Sequence, residues 1–245
     1  MIDQSIINRL LNDDDYYGSF GKQYLSNSDI GALLGNPINF RIPQEDNINF
    51  HKGRYFHQLI LEPDKAKETR FVDISSRVAK AYKEAVAESN QDIIMLEKEG
   101  AQIRGCVDTM IQNLSFFEGI REEGNRYEVP MIKEIKGLLW KGKADIICSD
   151  KLIDLKTTSK IEDFKYSARK YNYDSQCYIY QNLFGKPLVF YVVDKTNGKL
   201  GIFRPTEEFV LRGEEKVERA VAQYHRFFGD NPTEDVKSYY IDEML

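Results

Sequence analysis

Residues 142–158 read GKADIICSDKLIDLKTT: two short runs rich in apolar and β-branched side chains, divided by Ser149-Asp150. Runs of this kind flanking a small polar pair form a β-hairpin. With Ser149 and Asp150 in the turn, cross-strand partners carry numbers that sum to 299, which sets Asp145 opposite Asp154; other turn registers shift this slightly. Period-two alternation sends Asp154 and Lys156 to one face. Like charges opposed across a ladder repel, so the pairing makes sense if a divalent cation lies between them, and hard oxygen donors favour magnesium or manganese. A lysine there can orient and help deprotonate a water, or stabilise charge building on phosphorus, which is the chemistry of phosphodiester hydrolysis. Since 30% of residues are charged, a solvated hairpin with a surface ion pair fits the same spacing.

Working outward, Arg126 to Ile135 reads as a strand joined to 138–148 through Lys136-Gly137, and 152–157 is the third strand of the meander. Upstream, 77–89 and 92–117 read as helices, the second with Ile93, Leu96, Ile103, Val107, Met110, Ile111 and Leu114 near one face, weakened by Gly100 and Gly105. Downstream, 161–184 reads as a helix with a break near Tyr171-Asn172. Strands at 188–194 and 199–204 flank Thr196-Asn197-Gly198, and a helix over 206–228 follows. Nearer the start, 3–12 and 52–61 have helical spacing, and Ser26 or Asn27 caps a helix running through Leu34 to the stop at Gly35-Asn36-Pro37. The segment 235–245, with Tyr239-Tyr240, reads as a surface tail or a packing strap. The class is α+β with a mixed central sheet.

At 245 residues, without an internal repeat or a Gly/Ser linker, one domain is expected: a helical part over 1–91, a core over 92–205 and a closing helix and tail over 206–245. A mean hydropathy of −0.51 and 42% hydrophobic residues exclude disordered and membrane-spanning classes. Cys106, Cys148 and Cys177 are odd in number and far apart, which gives neither a disulfide framework nor a metal knuckle. The first 20 residues show no signal-peptide pattern, so cytoplasm is the expected compartment. Net charge is −5, yet Lys133 to Lys170 holds ten basic against six acidic residues. A phosphate-bearing partner would bind there.

The order helix, three strands, helix, strand over 92–194, with D-x8-D-x-K in its hairpin, resembles the PD-(D/E)xK nuclease superfamily and its αβββαβ, restriction-endonuclease-like core. Further motifs resemble the RecE and lambda exonuclease branch, related to RecB nuclease domains. Gly53-Arg54-Tyr55-Phe56-His57 fits its G-x-x-x-H helix, Gln176 to Tyr180 fits Q-x-x-x-Y, and Ser26 to Ile30 followed by Asn36-Pro37 is similar to its opening helix. The resemblance implies that His57, Asp145 and Asp154 are metal ligands with the Leu155 carbonyl, that Lys156 is the catalytic lysine, and that Glu128 supports the metal or binds a second one. Gln176 and Tyr180, four apart on one helical face, would hold the lysine or contact substrate. Ala144 stands where the motif name has proline, and Asp154 where it has glutamate. Without a cysteine cluster, the iron–sulfur members are excluded.

On that resemblance, the expected activity is a Mg²⁺-dependent (or Mn²⁺-dependent) DNA exonuclease acting on duplex ends by two-metal hydrolysis, in recombination or replication. The family further implies 5′ to 3′ polarity, a ring-like homo-oligomer, a single-strand annealing protein as partner, and a bacterial or phage-infected cell. A structure-selective or restriction-type endonuclease would use the same hairpin. A module that binds DNA without cutting it is the reading from another class, and retention of both aspartates and Lys156 speaks against it. Each residue also has a plainer role open to it: His57 as a satisfied core histidine, Glu128 as a strand-edge charge, and the tyrosines of 171–173 and 178–180 as core rather than base-stacking rings.

Overall fold

A computed structural model describes residues 4–43, 45–89, 91–242 and 244. Helices α1 (Gln4–Arg9), α2 (Asp13–Tyr17), α3 (Asn27–Gly35), α4 (Ile48–Leu61) and α5 (Pro63–Ala66) lead to the short strand β1 (Phe71–Val72). Next come α6 (Lys80–Ser89), β2 (Met95–Leu96), α7 (Glu97–Gln112) and α8 (Leu114–Arg121). The central strands β3 (Arg126–Ile135), β4 (Leu138–Ile147) and β5 (Leu152–Thr158) are followed by α9 (Phe164–Lys170) and α10 (Tyr173–Phe184). Strands β6 (Leu188–Asp194) and β7 (Leu200–Phe203) and the long helix α11 (Glu207–Phe227) complete the order.

The five central strands lie in chain order, antiparallel except for the parallel pair β5–β6. A parallel pair needs a crossover, and α9 with α10 supplies it. The expected mixed sheet and α+β class are thus present. Lys136 and Gly137 both take positive φ, 52° and 80°, as the two-residue turn between β3 and β4 demands. At the second turn, Ile146 pairs with Ile153 and Ile147 with Leu152, the register in which partners sum to 299.

Helices cover both faces of this sheet. On one, α4, α7 and α8 bury Phe56, Ile103, Met110 and Ile120 against Ile146, Ile153, Leu155 and Val193. On the other, α3, α10 and α11 bury Leu33, Ile179, Leu183 and Val217 around Trp140, which is 0% exposed. Phe164 and Ala168 of α9 pack beside Phe190 and Val192 on that second face. The three cysteines are buried and free, and no helix among the described residues is long and apolar enough to cross a membrane.

The differences from the sequence reading are local. The helix expected over 92–117 is instead the two-residue strand β2 followed by α7 and α8, broken where the Asn113 side chain accepts the Phe116 N–H and starts a new helix. Helix α2 lies beyond the helix expected over 3–12, because Asn12 accepts the N–H groups of Asp14 and Asp15 and three aspartates sit favourably in its first turn. Residue 3 of that expected helix, and residues 243 and 245 of the tail, lie outside the described residues. The described tail behaves as a strap at Tyr239, whose ring centroid is 6.0 Å from that of Phe227.

Two glycines separate packing from propensity. A Cβ on Gly213 of α11 would run into the backbone carbonyl of Asp174 at the start of α10, whereas a Cβ on Gly105 of α7 meets nothing within 4 Å. Gly213→Ala is therefore expected to destabilise the protein by about 2–3 kcal/mol. Gly105→Ala is expected to stabilise it by about 1 kcal/mol, and urea unfolding of the two variants checks the opposite signs.

Candidate active site

Past Ile146 and Ile153, β4 and β5 part, and β4 runs on beside β3 alone. The edge it vacates is taken by an N-terminal segment: the Leu25 N–H donates to Leu139 O at 2.9 Å and the Lys141 N–H to Leu25 O at 2.7 Å. The parting leaves the peptide groups of Leu155 facing β4 without a strand partner, and buried peptide groups must find one. Asp145 Oδ2 accepts the Leu155 N–H at 2.8 Å, and His57 Nε2, from α4, lies 2.7 Å from Leu155 O. That imidazole nitrogen is also 3.4 Å from Asp145 Oδ2. An imidazole, a carboxylate oxygen and a carbonyl oxygen thus meet at spacings close to the roughly 3 Å that separates adjacent ligands around a magnesium ion bound at about 2.1 Å.

Asp154, 3% exposed, faces α10. Its Oδ1 accepts Gln176 Nε2 at 2.6 Å, and Lys156 Nζ is 2.6 Å from its Oδ2. The Lys156 ammonium also stands 5.0 Å from the ring centroid of Tyr173. Burial pulls the lysine down, but the charge of Asp154, with Tyr173 and Asp145 behind it, holds it raised and cationic. For Asp154, burial drives the carboxyl upward, Lys156 pulls it back, and the Asp145 charge adds to the rise.

Glu128 lies on β3 between the ladder pairs Tyr127–Ile146 and Val129–Ala144, so its partner by register is Asp145. Its φ is 51°, a left-handed backbone in mid-strand, which costs a non-glycine residue about 1–2 kcal/mol. Burial first, and the Asp145 charge second, push its carboxyl up to about 8. Across the sheet the acids therefore run Glu128, Asp145, Asp154, with His57 above the middle one. Among the described residues no three His, Cys, Asp or Glu side chains form a ready-made metal cage. Asp154 is turned to Gln176 and Lys156, with Oδ1 on the amide and Oδ2 on the ammonium. The donor set itself, the carboxylates of Asp145 and Asp154 with the Leu155 carbonyl and the His57 imidazole, suits a divalent cation.

Gln176 and Tyr180 share the sheet-facing side of α10 as their spacing requires, but the amide holds Asp154 rather than the lysine, and the Tyr180 hydroxyl donates to Lys143 O at 3.0 Å. The sequence reading missed Asp13 of α2, whose carboxylate binds Lys143 Nζ at 2.5 Å and Lys65 Nζ at 2.8 Å beside the site. The Asn12 cap was the available signal. Tyr173, read as a core ring or one that stacks on bases, packs on Phe190 with centroids 5.3 Å apart while facing Lys156.

The sequence profile of a family described as a PDDEXK-like domain of unknown function (DUF3799) matches residues 35–228. Among solved structures, the chain is similar to a protein from Eubacterium rectale described as a "putative exonuclease", with 18% identity and a TM-score of 0.65 over 88% of this chain and 85% of that one. It also matches SSO0001 at 19% identity over 78% and 82% of the two chains, with a TM-score of 0.31 that carries no weight. No curated protein matches the chain.

The raised carboxyl of Glu128 has a measurable consequence. Its folded-state value of about 8, against an ordinary 4.5, makes the metal-free native state bind a proton that the unfolded chain has lost. Stability from this group is full below about pH 4.5 and lost as pH rises to about 8. In EDTA, the Tm of the parent should fall across that window, and Glu128→Gln should flatten the fall. Parallel Tm profiles for the two proteins would refute it.

Proposed function

Starting from a chain that belongs to the PDDEXK-like family DUF3799, we propose that it is a metal-dependent DNA exonuclease that hydrolyses phosphodiester bonds at duplex ends. The observation that carries this reading is the meeting of His57 Nε2, Leu155 O and Asp145 Oδ2 where β4 and β5 part, with Lys156 on Asp154 beside it. PDDEXK nucleases generally use divalent metals. Here His57, Asp145, Asp154 and the Leu155 carbonyl would hold one, and Glu128 would complete or share a second. Bound there, such ions supply charge neutralisation and an acidified water, as in two-metal phosphoryl transfer.

The side chains have distinct tasks in this reading. Lys156, kept cationic by Asp154, donates to the scissile phosphate and to the attacking water, stabilising the negative charge that grows on the phosphoryl oxygens. Gln176 fixes the Asp154 carboxylate, and so the lysine, in one orientation. Tyr173 limits the lysine from the opposite side through its ring face. Tyr180 acts further back, holding β4 at Lys143 so that Asp145, two residues on, stays opposite Leu155. Magnesium with manganese as its substitute, the 5′ to 3′ direction, a ring-like homo-oligomer and an annealing-protein partner belong to the same proposal.

Linear duplexes labelled at either the 5′ or the 3′ end, incubated with Mg²⁺ or with EDTA, test catalysis, metal need and direction together. Release of mononucleotides with Mg²⁺ alone is expected, and cutting of a covalently closed circle would instead mark an endonuclease. Lys156→Ala should lower the rate at least about a hundredfold with DNA binding retained. Asp145→Asn, which can still accept the Leu155 N–H, should lose rate and metal affinity with Tm little changed. Parental rates in Lys156→Ala would remove the assignment.

A further inference from the structure

Helix α9 buries one side and presents the other. Phe164 and Ala168 pack into the core, while Lys165, Tyr166, Arg169, Lys170 and the following Tyr171 face solvent. Tyr166 and Tyr171 are 60% and 58% exposed, large for rings on a helix that is otherwise anchored. Each lies beside a cation: Lys165 Nζ is 5.0 Å from the Tyr166 centroid and Lys170 Nζ 5.8 Å from that of Tyr171. Residues 164–171 contain no acid in a chain of net charge −5. Among the described residues Lys165, Arg169 and Lys170 have no carboxylate partner, because the nearby Glu162 and Asp163 are engaged by Lys199 and Lys160.

This surface leads to the site. The ring of Tyr171 is 6.2 Å from that of Tyr173, and Tyr173 faces Lys156 at 5.0 Å. The bend between α9 and α10 that sets this line is fixed in advance: Asn172 takes a left-handed φ of 57°, its carbonyl accepts Asn27 Nδ2 at 3.1 Å and Ser175 Oγ at 2.9 Å, and its side chain accepts Lys216 Nζ at 2.9 Å.

Resting on the nuclease reading above, we infer that the exposed ridge of α9 and Tyr171 holds an unpaired nucleic-acid strand leading to or from the catalytic lysine, with bases on Tyr166 and Tyr171 and phosphates on Lys165, Arg169 and Lys170. Charge complementarity selects a polyanion. Exposed flat rings select unpaired bases, since a base inside a duplex already has both faces stacked.

Binding of a fluorescent 20-nucleotide oligo-dT and of a 20-base-pair blunt duplex, measured by anisotropy on the full chain with Ca²⁺, tests this without turnover. Tyr166→Ala/Tyr171→Ala should weaken oligo-dT binding about tenfold or more and duplex binding by much less. Tyr171→Phe, which keeps the ring, should bind as the parent does. Lys165→Gln/Arg169→Gln/Lys170→Gln should lower the slope of log K against log salt by about 2. The same charge change at Lys67, Lys80 and Lys83 serves as control and should leave the slope in place. Parental oligo-dT binding in the double tyrosine variant, no oligo-dT binding by the parent, or equal losses for oligo-dT and duplex would each overturn the inference. A parent that shows the expected binding pattern but cuts no DNA with Mg²⁺ upholds the ridge and removes the nuclease reading instead.

Discussion

The site depends on one backbone circumstance, the unpaired peptide groups of Leu155. A five-stranded sheet zipped to the end of β5 would bond them into the ladder and leave Asp145 and His57 with nothing to hold. Because β4 and β5 part after Ile146–Ile153, the N–H goes to the Asp145 carboxylate and the carbonyl to the His57 ring. Each unsatisfied buried group would cost about 1–3 kcal/mol, so the fold and the chemistry select the same two side chains. Further along, Leu25 bonds to the same edge of β4 at Leu139 and Lys141.

The second constraint is electrostatic. Three carboxylates side by side on a sheet repel, and the structure relieves this in two ways: Lys156 sits on Asp154, and Glu128 holds its proton near neutral pH. Neither bonds to Asp145, whose carboxylate among the described residues meets a backbone N–H and the nearby imidazole. A site built this way keeps unmet negative charge in a partly buried place, accompanied by a strained backbone at Glu128. Strain and like-charge crowding persist where the surrounding fold imposes them, and they gather at functional sites.

Much of this was legible in the residues. Lys136-Gly137 and Ser149-Asp150 are turn pairs with a mechanism, and turn positions fix register, so the pairing of Ile146 with Ile153 and of Ile147 with Leu152 followed from counting, whereas the ladder ends before the expected pair Asp145–Asp154. The parting of the strands did not follow, because no local pattern marks it, and the residue that bonds to β4 beyond it, Leu25, lies more than a hundred positions away in sequence. His57 carried no local signal that set it apart from a core histidine; only its place in G-x-x-x-H did, and its actual partner, a strand carbonyl, is a tertiary fact. Asn113 was hidden inside an apolar period that continues across it, although asparagine caps helices well. The amide of Gln176, expected on the lysine or on substrate, grips Asp154, the lysine's partner. Spacing along α10 could place it on the sheet-facing side, but not choose between two groups that are themselves in contact.

The distribution of charge links the two proposed surfaces. Without a cation, Asp145 and Asp154 would oppose a phosphate arriving at Lys156, while the cationic ridge of α9 would still attract the strand on either side of it. On the proposed reading, a divalent ion at the acids would remove the repulsion at the place where the strand comes closest, so metal and nucleic acid would strengthen each other's binding, by equal factors in both directions. The ridge would then govern where along the surface a strand lies, and the acids whether its phosphate can descend to the lysine. That division would let a chain of net charge −5 act on a polyanion, with attraction strongest where the basic residues cluster.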